Sequence, residues 1–150
     1  MNSLEEQLGG LELMIGVPLP DDYRAFVVAD AGRTILEQQY YMPHPKGRWI
    51  ESINDFFSLA ELLRRMPMEI DLRRQGISDH PPGTLPIADN GCGDTVLLSY
   101  RDQDFGSVHH AFLEESDADD HWAGVYLLAP TFSEWLNQLG TFSRDEPKAI

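Results

Sequence analysis

Cysteine is almost absent from this sequence. Cys92 is the single one in 150 residues, so no disulfide can close within the chain, which fits a reducing compartment. Bases are scarce as well. Eleven Lys and Arg stand against 25 Asp and Glu, leaving a formal net charge of −14. So few cations cannot neutralise a run of phosphates, which excludes nucleic-acid binding as the default function. The same deficit argues against docking on anionic membranes. Long apolar runs are missing too, and none approaches the roughly 20 residues that span a bilayer. The opening MNSLEEQLGG has neither the basic nor the apolar region of a secretory signal. A cytoplasmic location is therefore expected.

Catalytic signatures are equally scarce. No G-x-S-x-G, H-E-x-x-H or Walker pattern occurs. His109-His110 is a vicinal pair, and neighbours on a strand point to opposite faces, so the two rings do not chelate one ion. His109, His121 and Asp119 or Asp120 lack metal-ligand spacing. Asp102–Gly106 lacks the third oxygen ligand and the distal Glu of a calcium loop and reads as a hairpin turn. These absences predict a non-enzymatic protein with no cofactor and no metal.

What is present is one domain's worth of chain, 42% hydrophobic and 10% aromatic, enough for a core without crosslinks. The acidity is uneven. Residues 75–122 hold ten acids and one base, Arg101. The densest piece is Glu114-Glu115-Ser116-Asp117-Ala118-Asp119-Asp120, followed by His121-Trp122. Such a run is either a solvated loop that aids solubility or a patch complementary to a basic partner. In the second reading Glu114, Glu115, Asp117, Asp119 and Asp120 supply charge, and Trp122 is an anchor at the rim.

Three S/T-x-x-E capping boxes mark helix starts, at Ser3/Glu6, Ser58/Glu61 and Thr131/Glu134. Each precedes apolar residues at helical spacing. Pro67 is expected to stop the second of these helices, with a separate short helix at 68–75 closed by Gly76. Gly140 is expected to stop the third. A further helix is predicted from Pro20-Asp21-Asp22 to Gly32, with carboxylates at its positive end. Strands are predicted at 84–88, 95–100, 107–113 and 123–128, with weaker candidates at 34–41 and 49–53. Asn90-Gly91-Cys92-Gly93-Asp94 reads as a tight turn between strands whose glycines take positive φ. Helices first, then strands, then a closing helix indicate an α+β fold: a curved, largely antiparallel sheet with N-terminal helices on its flank and one C-terminal helix.

The order of motifs resembles the SUKH superfamily. Val17-Pro18-Leu19-Pro20-Asp21-Asp22-Tyr23-Arg24-Ala25-Phe26 is similar to its "LP.DYR.F" signature. Phe57–Leu62 continues the match, and Leu85–Asp94 is similar to the "PIA..GGGD" turn. Leu128–Leu136 is similar to the "A.SF.EFL" terminal helix. The chain departs from the pattern at Asp30-Ala31-Gly32-Arg33, where "NGG" is common, and at Cys92, where glycine is usual. The branch it most resembles is named for a fungal regulator of cell-wall assembly. The resemblance implies a single domain over residues 1–141 and a polar tail at 142–150. It implies no catalytic residue, and it makes Tyr23, Phe26, Gly91, Gly93, Asp94, Phe132 and Trp135 determinants of the fold.

Bacterial members of the superfamily often serve as immunity proteins. The resemblance therefore implies a protein partner, a basic toxin domain occluded by the acidic stretch, with the oligomeric state open. Two alternatives stand beside it. One is a regulatory scaffold with an endogenous partner. The other is a small-ligand-binding protein or enzyme that uses the Asn90–Asp94 loop with a nearby His, where Cys92 is a nucleophile only if a base lies close.

Overall fold

A computed structural model describes residues 3–35, 38–78 and 80–142. The expected tail beyond 142 lies outside the described residues. Helix α1 (Leu4–Ile15) starts where the Ser3 side chain accepts from Glu6 N, and it ends at Gly16 in the left-handed region. Helix α2 (Asp21–Val28) opens after Pro20, with Asp21 and Asp22 in its first turn. It stops earlier than Gly32. Asp30 turns the chain at φ 54°, and Gly32 sits in the 3-10 turn Ala31–Thr34 instead. A side chain at Gly32 would put its Cβ 2.8 Å from the Cβ of Phe56, so close approach selects glycine there.

Strands β1 (Gln39–His44) and β2 (Gly47–Ser52) pair antiparallel as a two-stranded hairpin. This element differs from the weak predictions at 34–41 and 49–53. Pro43 and Pro45 break the alternation that would have marked the first strand, although Pro43 sits within it opposite Arg48. Residues 36 and 37 of the expected strand lie outside the described residues.

Strand β3 (Asp55–Phe56) leads into helix α3 (Leu59–Arg74), whose capping box at Ser58 and Glu61 is complete. Helix α3 continues past Pro67, so the two expected helices are one. The proline is exposed, so its ring faces solvent. Leu59, Leu62 and Met66, fully buried on the other side, hold the helix against the core. A single lost helical hydrogen bond does not outweigh that burial.

Strands β4 (Thr84–Asp89), β5 (Thr95–Ser99), β6 (Val108–Ala111) and β7 (Val125–Ala129) follow. With β3 they form one antiparallel sheet in the order β3-β4-β5-β6-β7. Strand β7 begins two residues later than expected, because residues 121–124 are a turn. Helix α4 (Phe132–Gln138) closes the fold from a Thr131 cap. Gly140 does not stop it. Leu139 is already extended, and Gly140 bridges to Gln39 with 2.9 Å bonds in both directions.

The helices cover one face of the larger sheet. Leu85, Val96, Leu98 and Val108 point from it into a core shared with Leu8, Leu11, Leu62, Phe132 and Trp135. Tyr23 meets Phe132 edge-on at 5.1 Å, Phe26 meets Phe132 at 4.9 Å, and Tyr40 meets Trp135 at 5.7 Å. Such contacts add to area burial at roughly 0.5–1.5 kcal/mol each. Tyr23, Phe132 and Trp135 are fully buried and Phe26 half-buried. No described helix is long and apolar enough to cross a membrane.

Candidate protein-interaction face

The second face of the larger sheet carries a row of paired residues, Pro86, Leu97, His109 and Leu127, one from each of β4 to β7. Partners across antiparallel strands share a face. Leu97 and His109 are buried, but Leu127 is 53% exposed. This face is covered only in part, by the segment after α3 and by the loop between β6 and β7.

That loop is the acidic stretch. Leu113–Glu115 form a 3-10 turn. Asp117 Oδ1 then accepts from Asp119 N at 2.9 Å, and Asp120 Oδ1 accepts from Trp122 N at 3.0 Å. Two carboxylates thus fold the loop through one oxygen each while remaining exposed. Glu114 and Asp119 are exposed as well.

Glu115 and Trp122 stand apart from that exposed group. Glu115 accepts from the Tyr126 hydroxyl at 2.6 Å and faces His44 Nε2 at 2.9 Å. The Tyr126 bond, then the His44 contact, hold its carboxyl below the usual range. Its work is to tie the loop to β7 and to the hairpin. Trp122 is half-buried, edge-on to His109 at 5.4 Å, with the Arg101 guanidinium 3.8 Å from its ring centre. These contacts pin the loop to the sheet. Gly124 closes the loop at φ 76°, where a Cβ would lie 2.7 Å from Glu115 Cβ and 3.0 Å from the Phe112 carbonyl.

Around His109 the polar groups are satisfied. Ser107 Oγ lies 2.8 Å from its Nε2, and burial pushes its pKa down. Asp104 accepts from Arg101 Nε at 3.0 Å and from Ser99 Oγ, bonds that outweigh burial and lower its pKa. Asp102–Asp104 is the hairpin turn between β5 and β6.

Two clefts open on this face. The smaller, about 250 Å³, lies between Gly76–Ser78 and the acidic loop, with Ile77, Asp117 and Asp120 on its walls. The larger, about 550 Å³, lies between α3 and the turn joining β4 to β5. Phe57, Met68, Leu72 and Pro86 give it apolar walls, and Glu69 and Asp89 give it charge. Met68 is 66% and Ile77 63% exposed.

Glu69 is the best-held charge here. Its Oε1 accepts from Arg73 Nε at 3.1 Å and from the Ser78 hydroxyl, and lies 3.3 Å from His80 Nδ1. Burial pushes its pKa up. Hydrogen bonds from His80 and Ser78 and the charges of His80 and Arg73 reverse this and bring it to about 2. Arg73 is anchored in turn by Thr84 O at 2.8 Å. No motif in the sequence marks this cluster, because Glu69, Ser78 and His80 meet only once the chain doubles back after α3.

The 90–94 turn bounds the larger cleft. Gly91 and Gly93 take φ 78° and 103°, and Asn90 Oδ1 accepts from both Cys92 N and Asp94 N. Asp94 turns inward. Its Oδ2 lies 3.0 Å from His110 Nε2, and its Oδ1 accepts from Leu113 N at 3.1 Å. His110 Nδ1 lies 2.7 Å from the Tyr40 hydroxyl. Burial, then Glu51 and Asp94, hold the Tyr40 hydroxyl well above its usual pKa, so it stays a donor.

Glu51, Asp94 and His110 each bring one possible ligand atom within 4.8 Å of the others, the one such group among the described residues. Both His110 nitrogens already have protein partners, and Glu51 accepts from Trp49 Nε1. The cluster is a satisfied network joining the hairpin, β6 and the turn. Cys92 is exposed at the tip of the turn, and no described base lies within hydrogen-bonding distance of its thiol.

A comparison with curated proteins found no match, and a comparison with solved structures found none. The sequence model of the SMI1 / KNR4 family (SUKH-1) matches residues 3–138, from the first capping box to the end of α4. The match takes in every helix and strand described above, and the chain belongs to the SMI1 / KNR4 family (SUKH-1).

Proposed function

We propose that this protein is a non-enzymatic, cytoplasmic binding domain that neutralises a toxin by covering its active surface. Membership of the SUKH-1 family supports a binding role of this kind. The observation that carries the reading is the composition of one face. Exposed Glu114, Asp117, Asp119 and Asp120 stand beside exposed Leu127 and Ile77 and two open clefts.

A basic toxin surface would meet the carboxylates first, which raises the encounter rate and sets orientation. The apolar side chains would then supply the buried area. Truncating a central one costs on the order of 2 kcal/mol of binding. Loop carboxylates would occupy positions that a nuclease reserves for substrate phosphates.

The test is co-expression with each candidate toxin domain found among the neighbouring genes, scoring growth. Wild-type protein protects. The quadruple variant Glu114→Gln, Asp117→Asn, Asp119→Asn, Asp120→Asn keeps the oxygen acceptors that fold the loop and removes four charges, so it loses protection while staying folded. Full protection by that variant contradicts the mechanism. Capture of a housekeeping protein with no toxin encoded nearby supports the regulatory-scaffold reading instead.

A further inference from the structure

The larger cleft combines features that the acidic loop lacks. Its walls are apolar, from Phe57, Met68, Leu72 and Pro86. Its charge is fixed: Arg73 Nε and the Ser78 hydroxyl both donate to Glu69 Oε1, and His80 Nδ1 lies 3.3 Å from it. Among the described residues Oε2 takes no donor. Asp89 repeats the pattern, since its Oδ1 accepts from Gly91 N at 2.9 Å and its Oδ2 takes none. Asp94 also borders the cleft, but its carboxylate is consumed by His110, Asn90 and Leu113. Two arginines stand against these acids: Arg73, which already occupies Glu69 Oε1, and Arg65, whose guanidinium lies 4.3 Å from the centre of the Phe57 ring.

We propose that this cleft receives an arginine side chain of the protein partner, its stem along Met68, Leu72 and Pro86 and its guanidinium shared by Glu69 and Asp89. A long apolar stem with a cationic head matches an apolar slot ending in carboxylates. A guanidinium fits better than an ammonium. It offers five N–H donors in a plane, so it can serve two separate carboxylates and lie against a ring at once. Arg65 on Phe57 shows this chain already placing a guanidinium at the cleft edge. The carboxylates there are held by surrounding donors before any partner arrives, so little ordering cost remains. The inference deepens the reading of a basic partner by naming the side chain that would anchor it.

The test needs no toxin. Nα-acetyl-arginine-N-methylamide is titrated into the ¹⁵N-labelled full chain and followed by amide shifts, with the citrulline and lysine analogues as comparisons. The arginine probe is expected to shift amides around Met68, Glu69, Gly91, Gly93 and Thr95 in a saturable manner. The citrulline analogue, which lacks the charge, should shift them at least tenfold less at equal concentration. Asp89→Asn keeps the Gly91 contact and should weaken the arginine response several-fold. Arg65→Ala removes a competing cation from the cleft edge and should strengthen the arginine response. Equal responses to arginine and citrulline, or no change in Asp89→Asn, overturn the proposal. An equal response to lysine overturns the guanidinium assignment. Since the readout is the probe alone, a negative result here leaves toxin protection to be judged by its own assay.

Discussion

His110 Nε2, wholly buried on β6, lies 3.0 Å from Asp94 Oδ2 at the end of the 90–94 turn. With Tyr40 at the other ring nitrogen, this pair locks the turn, the sheet and the hairpin together. Asp94→Ala removes a charged acceptor and leaves a buried ring nitrogen unpaired. It should cost about 2–4 kcal/mol by urea denaturation. Tyr40→Phe removes one hydroxyl and should cost about 1 kcal/mol. The double variant should cost less than the sum, because both act through one imidazole. Strict additivity would show that the three do not act as a unit.

Pro67 lies on the exposed side of a helix that its sequence argues against. Pro67→Ala restores a backbone donor in the middle of α3 and removes the ring. Stability should rise by about 1–3 kcal/mol, read as a higher urea midpoint with unchanged slope. A loss of stability would mean that the proline ring packs in a way the exposed position does not provide.

These two cases show which parts of the fold are legible in the sequence. The caps at Ser3, Ser58 and Thr131 form where their S/T-x-x-E spacing predicts, since every partner lies within one turn, and at Ser58 the Glu61 side chain also returns to complete the box. Strands β4 and β5 appear as compact apolar runs close to their predicted places. Pro67 misleads because a local penalty is outweighed by tertiary burial of Leu62 and Met66. The hairpin strands show only as weak candidates with shifted bounds, because the prolines hide the alternation. The Tyr40–His110–Asp94 network and the Glu69 cluster join residues far apart in sequence, and no spacing rule marks such contacts. The acidic stretch is legible as charge. Its division into exposed carboxylates and a Glu115 engaged by Tyr126 and His44 belongs to the structure alone.

Gly124 tests the loop's shape separately from its charge. At φ 76° against the Phe112 carbonyl and Glu115, alanine adds both backbone strain and overlap. Gly124→Ala should lower stability by about 2 kcal/mol or more. It should also speed amide exchange in residues 113–123. Wild-type stability would mean that the loop rearranges freely.

Glu69 makes stability depend on acid. Its carboxyl is held at about 2 in the folded chain, against 4.5 for the group in its ordinary state. A carboxylate lowered by folding contributes its full stabilisation above the unfolded value and loses it as pH falls toward the folded one. The loss should therefore appear between pH 4.5 and about 2. With the group only partly shielded from solvent, the amount should be on the order of 1–2 kcal/mol. Glu69→Gln should flatten that part of the profile, checked by thermal unfolding across pH. An unchanged slope would remove Glu69 from the account.

The central claim is that the acidic, partly apolar face of the larger sheet binds a basic protein. The most direct measurement is the association rate constant between this protein and a basic toxin domain that it protects against, sought among the neighbouring genes, at low and at physiological salt. The account predicts fast association that falls steeply with salt. In the quadruple loop variant, the rate should drop at least tenfold at low salt and lose most of its salt dependence. Equal rates for wild type and variant at both salt concentrations would contradict it.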